Sequence, residues 1–155
     1  MKKYELTEET VTVYGKTLYR IRAVRGFGSV KTGEFGGYIE KEENLSHFGN
    51  AWISGNARVS GDARVSGNAW VYGNAEVFNT RHFFVQGPIG SRDGYVTFYR
   101  TKDDTVEVRC GCFSGSLQEF VNQVEETHGG SRYEKEYNLA AELAKVCIRL
   151  EGESR

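Results

Sequence analysis

The chain has 155 residues, enough for one ordinary domain or two small units. Its 20 Lys+Arg against 21 Asp+Glu leave a formal charge of −1, which argues against a nucleic-acid binder working by bulk attraction and equally against an acidic DNA mimic. No apolar run approaches the roughly 20 residues of a membrane span, and three cysteines, two of them separated by a single residue, do not make a disulfide framework, so a reducing cytoplasm is the expected compartment.

From the start, Met1-Lys2-Lys3-Tyr4-Glu5 carries charge with no apolar stretch behind it, unlike a secretory signal. Thr10–Tyr14 and Thr17–Arg22 then alternate apolar and polar residues around Gly15-Lys16, which predicts a β-hairpin. Gly33-Glu34-Phe35-Gly36-Gly37 lacks the lysine and helix start of a phosphate loop, so turn chemistry explains its glycines better. Residues 1–38 are expected to be an N-terminal hairpin cap.

Residues 39–80 follow a period of six. Ala51, Ala57, Ala63, Ala69 and Ala75 form one column, and Ile53, Val59, Val65, Val71 and Val77 form another two places on. Gly49, Gly55, Gly61, Gly67 and Gly73 form a third, followed by Asn50, Asn56, Asp62, Asn68 and Asn74, with Asn44 earlier in that column. Ile39 and Leu45 extend the alanine column backward, and His47 then falls in the aliphatic column. Alanine and valine two apart point to one side of a short strand, and Gly-Asn supplies a corner because both residues tolerate positive φ. Three such units close a coil of 18 residues, and coils stack at about 4.8 Å. Each buried valine or isoleucine contributes about 1.5–3 kcal/mol. A period of five, as in pentapeptide repeats, is excluded.

The 18-residue coil places Trp52 beside Trp70, Arg58 beside Glu76, Ser54 beside Tyr72 and Ser60 beside Phe78, all with outward parity. Trp52, Trp70, Tyr72, Arg58 and Arg64 are the expected partner-binding residues, because aromatic and arginine side chains dominate interface energies. The bland alternative is that the second unit, or another subunit, covers the tryptophans. Arg58 and Arg64 lie on different faces and form no phosphate clamp within one chain.

Downstream, Tyr95–Arg100 and Thr105–Cys110 predict a second hairpin around Lys102-Asp103-Asp104. Ser116-Leu117-Gln118-Glu119 is a capping box opening a helix that Gly129-Gly130 stops, and Ser131-Arg132-Tyr133-Glu134 is a second. The repeat is thus expected over 39–86, with a ββαα cap over 91–151.

Gly36-Gly37-Tyr38-Ile39, Asn44-Leu45-Ser46 and Gly49-Asn50-Ala51-Trp52-Ile53 resemble the small hexapeptide-repeat β-helix proteins of bacterial genomes and prophages, which often carry the label of transferase. That resemblance implies a left-handed helix and a phage or prophage setting; it supplies no activity and no functional residues. Gly111-Cys112-Phe113, Glu119-Phe120, Thr127-His128-Gly129 and Tyr133…Glu136-Tyr137 are similar to the tails of phage-borne relatives. The fold class is therefore mainly β: a short left-handed hexapeptide β-helix between an N-terminal β-hairpin and a C-terminal ββαα cap.

Catalytic chemistry is not evident. His47 belongs to the repeat interior, His128 precedes a helix-stopping glycine, and His82, where the repeat decays, is the best candidate base for an acyltransferase. Cys110 and Cys112 sit two apart in a strand-like stretch, too few for a structural zinc, and Cys147 belongs to the last helix. No cofactor and no metal are expected. The leading expectation is a non-enzymatic phage or prophage accessory protein, a homo-oligomer (dimer or trimer), that sequesters or inhibits a host protein or small ligand, for example as an anti-defence inhibitor. Neither a membrane nor a nucleic acid is an expected partner. A hexapeptide acyltransferase and a virion structural or adsorption component are the alternatives.

Overall fold

The computed structural model describes residues 2–152. They form a mainly β chain with eleven strands and two α-helices, and no helix among them is long and apolar enough to cross a membrane. The chain divides into two compact units, one ending at Thr80 and the other beginning at Arg81.

In the first unit, β1 (Tyr4–Val13) and β2 (Lys16–Ala23) form the hairpin, closed by the pair Val13↔Lys16. The turn is Tyr14-Gly15, one residue earlier than expected, with φ of 50° and 78°. Positive φ at both central residues is the type I′ geometry, whose twist suits a two-residue hairpin. The strand β3 (Phe35–Ile39) lies antiparallel on β2, with Tyr19 opposite Ile39. From β3 onward the pairing turns parallel, and the repeat begins.

Its short strands are β4 (Trp52–Ile53), β5 (Arg58–Val59), β6 (Trp70–Val71) and β7 (Glu76–Val77). Trp52 pairs with Trp70, Ile53 with Val71, Arg58 with Glu76 and Val59 with Val77, each 18 residues on. Three faces result: a five-stranded sheet ordered β1-β2-β3-β5-β7, the pair β4-β6, and a bridge between Leu45 and Val65. Hydrogen bonds run along the repeat from rung to rung, such as Trp52 N–H to the Ala69 carbonyl at 3.0 Å and Ser60 N–H to Val77 at 2.9 Å.

The interior follows from the columns. Ile39, Leu45, Ile53, Val59, Val65, Val71 and Val77 are fully buried, and so are the alanines from Ala51 to Ala69. At roughly 1.5–3 kcal/mol each, the seven aliphatics are the main apolar support of this unit. At the corners only glycine takes positive φ, 64° at Gly61 for example; the following Asn or Asp does not. Ser54-Gly55-Asn56-Ala57 closes with Ala57 N–H on the Ser54 carbonyl, a turn of the II′ kind. A Cβ on Gly61 would lie 2.2 Å from the Phe78 carbonyl oxygen, so both backbone torsion and rung spacing demand glycine there.

The first coil departs from the expected columns. Ile39 pairs with Val59 and Leu45 with Val65, both 20 residues on, so they stand in the aliphatic column and not the alanine one. Because Asn50 N–H reaches the Gly67 carbonyl and Ser46 N–H the Val65 carbonyl, two extra residues lie between Ser46 and Asn50. They are His47-Phe48, an insertion that the six-residue count concealed. Phe48 is 81% exposed, and His47 leaves the interior to stack on Tyr4 at 4.1 Å between ring centroids. Asn44 is not a corner residue either: buried, it accepts from Glu40 and Lys41 N–H and donates to the Gly61 and Ala63 carbonyls.

An open coil exposes unpaired carbonyls, and the N-terminal segment occupies them. Tyr4 Oη donates to the Leu45 carbonyl at 2.7 Å and to Glu42 at 3.0 Å, and Lys3 Nζ donates to Ala51 at 2.6 Å. On the third face β2 continues the sheet. Gly36 and Gly37 belong to β3, not to a turn; a Cβ on either would lie 2.6 Å and 2.5 Å from the Ile53 and Ala57 carbonyl oxygens, respectively.

The second unit is a four-stranded antiparallel sheet, ordered β11-β10-β9-β8, with two helices. Its strands are β8 (Phe83–Ile89), β9 (Gly94–Arg100), β10 (Val106–Cys110) and β11 (Phe113–Ser116). The expected hairpin is β9-β10; β8 and β11 are additional, so the arrangement is ββββαα, and residues 83–86 belong to this sheet. The helices are α1 (Leu117–His128) and α2 (Arg132–Cys147). Ser116 and Glu119 make the full capping box on α1. At α2 the box is incomplete: Ser131 Oγ accepts from Glu134 N–H, but the Glu134 carboxylate takes the Gly130 N–H. Val96, Phe98 and Val108 from the sheet pack against Phe120 and Val124 of α1 and Ala140, Ala141 and Ala144 of α2.

Lys3 gives the first unit a testable pH dependence. Burial, with Arg25 nearby, lowers its pKa from 10.5 to about 8. Between those values the unfolded chain holds the proton that the folded chain has released, so stability rises with pH across that window. Denaturant midpoints measured from pH 7 to 10 should rise more for the native chain than for Lys3→Met; parallel curves would contradict this account of the buried amine.

Candidate functional site

The five residues expected to bind a partner are scattered over the repeat. Trp52 is fully buried despite its outward parity: Phe27 meets it edge-on with centroids 5.2 Å apart, and Gly36 lies against its ring. The covering group is the chain's own N-terminal segment, so the expected anchor offers no surface to a partner. Trp70 is half-buried and donates from Nε1 to Ser54 Oγ at 2.7 Å, and Tyr72 is likewise half-buried.

Arg58 lies on the five-stranded sheet between Tyr38 and Glu76. The groups around it already serve one another. Tyr14 Oη donates to Glu76, while Arg20 donates to Tyr38 Oη and Glu9 and lies 4.6 Å over the Tyr38 ring. Arg64 is exposed and sits next to the Leu45–Val65 bridge, so the two arginines are on different faces, as the sequence requires. Arg64 lines a dent of about 130 Å³ with Lys41, Glu43 and Asp62, whose charges oppose one another.

The histidines take structural places. His47 accepts from Lys3 N–H at Nδ1 and meets Glu42 at Nε2. His82 has no exposed surface; its Nε2 lies 3.0 Å from Glu151 Oε2, and burial lowers its pKa despite that carboxylate. A base needs access to the proton it removes, and this ring has none. Among the described residues no group of three or more His, Cys, Asp or Glu side chains is placed to hold a metal ion.

The second unit contains a cleft of about 500 Å³. Four stretches of the chain converge on it. The β8–β9 turn supplies Ser91 and Arg92, and β9 opens with Gly94 and Tyr95. The β10–β11 turn supplies Cys110, Gly111, Cys112 and Phe113. The helix α1 adds Phe120, Gln123, Val124, Thr127 and His128, and Tyr137 comes from α2. Phe113 and Phe120 are 5.7 Å apart, Phe120 meets Tyr137 edge-on at 5.8 Å, and the His128 ring stacks on Tyr137 at 5.6 Å. The turn that carries Arg92 is held by Gly90, whose N–H donates to Glu136 Oε1 at 2.7 Å. A Cβ on Gly90, at φ 80°, would fall 1.9 Å from Tyr137 Oη. Glycine there lets the phenol approach the backbone.

Cys110 and Cys112 do not share a strand face. Cys110 ends β10 and is half-buried, whereas Cys112 lies exposed in the turn after Gly111, whose φ is 57°. Burial raises the Cys110 thiol, against the influence of the Tyr137 hydroxyl, and also raises the Tyr137 phenol. Both groups are therefore neutral near pH 7, and a neutral thiol is a weak nucleophile. The sequence did carry a trace of the cleft: Gly111-Cys112-Phe113, Phe120, Thr127-His128 and Tyr137, residues of the tail resemblance, all line it. On the outer side of α2, Leu139, Leu143 and Val146 are exposed.

Alkylation should separate the two cysteines. With N-ethylmaleimide on the folded chain, Cys112 is expected to react at least ~10-fold faster than Cys110, given its exposure and the raised thiol of its neighbour. Peptide mapping over time reads both rates, and equal rates would contradict the geometry of the β10–β11 turn.

Comparison with known proteins bears on the repeat alone. The YdcK beta solenoid repeat model matches residues 51–67 and, overlapping them, 57–73. No curated protein matches the sequence. The matched stretch contains β4, β5 and β6, and with the parallel pairing of successive rungs it places this part of the chain among β-solenoid repeats.

Proposed function

We propose that this chain is a non-catalytic binding protein in which the β-solenoid is a rigid support and the C-terminal unit sequesters a small molecule in the cleft between its β-turns and helices. The observation that carries this reading is the 500 Å³ cleft with Tyr95, Phe113, Phe120 and Tyr137 in its walls. Ligand sites are concave, mostly apolar and equipped with a few polar groups, within roughly 300–1,000 Å³. The neutral Cys110 thiol and the burial of His82 favour holding over turnover. Burial of Trp52 moves the expected contact away from the solenoid face.

Within the same reading, the coils are left-handed hexapeptide rungs and the protein acts in a phage or prophage setting, both from the resemblance of residues 36–53. Removal of a small signalling or defensive molecule from the host is the role that unites that setting with a sequestering cleft. Two small structural units suit the task. Packed rungs hold their side chains at low entropic cost, so a ligand need not order the support on binding.

Native mass spectrometry of the chain incubated with a small-molecule extract of bacterial cells tests the proposal. A retained species at 1:1 stoichiometry is expected, with affinity reduced at least ~10-fold by Gln123→Trp, which fills the cleft from an exposed helix position. Trp70→Ala with Tyr72→Ala on the solenoid should leave retention unchanged. Loss in the solenoid variant with retention in the cleft variant would overturn the assignment.

A further inference from the structure

The chemical class of the ligand follows from which charges line the cleft and which do not. Although the chain carries 21 Asp+Glu, no carboxylate among the described residues lines this cavity, and among them Arg92 is its one formally charged side chain. Arg92 is exposed on the β8–β9 turn, so its guanidinium stands at the mouth of the cleft. Its field reaches the interior, where it acts on the Tyr137 phenol in the direction opposite to burial and to Glu136. Glu136, which serves the same turn, is engaged by the Gly90 N–H at 2.7 Å, with Arg132 Nε 3.9 Å from its other oxygen. The walls below are flat rings, with Phe113 and Tyr95 coming from the turn and strand side and Phe120 from α1. Aromatic walls favour a planar guest that stacks or meets them edge-on. A guanidinium at the rim, weakly hydrated and forked, favours a carboxylate, sulfonate or phosphate on that guest.

We infer that the cleft takes a flat aromatic molecule bearing a single acidic group, its ring between the aromatic walls and its acid on Arg92. This rests on the cleft being the binding site proposed above. A neutral aromatic would gain the walls without the guanidinium, and an aromatic cation would meet Arg92 as a like charge. A purely aliphatic acid would use Arg92 but leave the ring surfaces without a matching partner. The guest therefore needs both parts at once.

Two dyes that differ by the acid make the test. The full chain is titrated at low ionic strength with 8-anilinonaphthalene-1-sulfonate and with neutral N-phenyl-1-naphthylamine, each read by fluorescence. The sulfonate is expected to bind at least ~10-fold more tightly, and Arg92→Gln to bring the two within about twofold. Thr127→Trp, from an exposed lining position on α1, should abolish both, while Leu143→Ser on the outer face of α2 should change neither. Circular dichroism verifies that the variants keep their fold. Equal affinity of the two dyes, or indifference to Arg92→Gln while Thr127→Trp still abolishes binding, overturns the acidic-guest inference and leaves the cleft assignment standing. Binding of both dyes that survives Thr127→Trp, or no binding of either, overturns the cleft assignment as well.

Discussion

Successive coils can hydrogen-bond to one another only while the space inside them is filled by side chains small enough to let the rungs close. That constraint governs the first unit. Alanine and a single branched aliphatic residue per hexad satisfy it, and a larger group on the inner side would force rungs apart and break several backbone hydrogen bonds together. The same constraint acts at the corners, where Gly61 lies so close to the next rung that a methyl group would meet its backbone oxygen. It also explains His47-Phe48: a two-residue insertion is accommodated by expelling both residues outward, so that the interior columns resume in register at Asn50 and Ala51.

A tube built this way has an edge, and the chain covers its first edge with side chains as well as strands. Tyr4 and Lys3 donate to carbonyls of the first coil, and β2 extends its five-stranded sheet. Burying an amine costs free energy. Here the cost is offset by a short hydrogen bond to Ala51 and by the Phe27 ring 4.6 Å below the ammonium. Phe27 also covers Trp52. The N-terminal segment thus closes the coil through Lys3 and Tyr4, and through Phe27 removes from solvent the side chain that the repeat alone would have left outside.

What could be read from the residues follows the range of the forces involved. The rung pairs Trp52–Trp70 and Arg58–Glu76 were legible because they depend only on a period and a corner residue. The displacement of Ile39 and Leu45 to the aliphatic column was not, since the two-residue insertion lies between segments that still count in sixes when His47 is placed inside. A cover over Trp52 was foreseen as an alternative, but not its source: it comes from a loop some 25 residues earlier, which no local pattern announces. In the second unit the capping box of α1 was legible from four adjacent residues. The strands β8 and β11 were not, because the first follows the decay of the repeat and the second has only four residues, including a glycine. The cleft depends on four segments meeting, so its lining had no signature beyond the scattered tail motifs. The regular part of the sequence thus encodes the solenoid, and the irregular part encodes the segments that form the cleft.

Engineered disulfides test the eighteen-residue winding most directly. In a chain whose native cysteines are replaced (Cys110→Ala, Cys112→Ser, Cys147→Ala), Asn56→Cys with Asn74→Cys places two thiols at exposed corners of adjacent rungs. Rung spacing of about 4.8 Å is within reach of a disulfide, so mild oxidation should join this pair rapidly. Asn56→Cys with Asp62→Cys, one corner away on the same coil, should remain reduced. Closure of the second pair in preference to the first would contradict the solenoid on which the whole account stands.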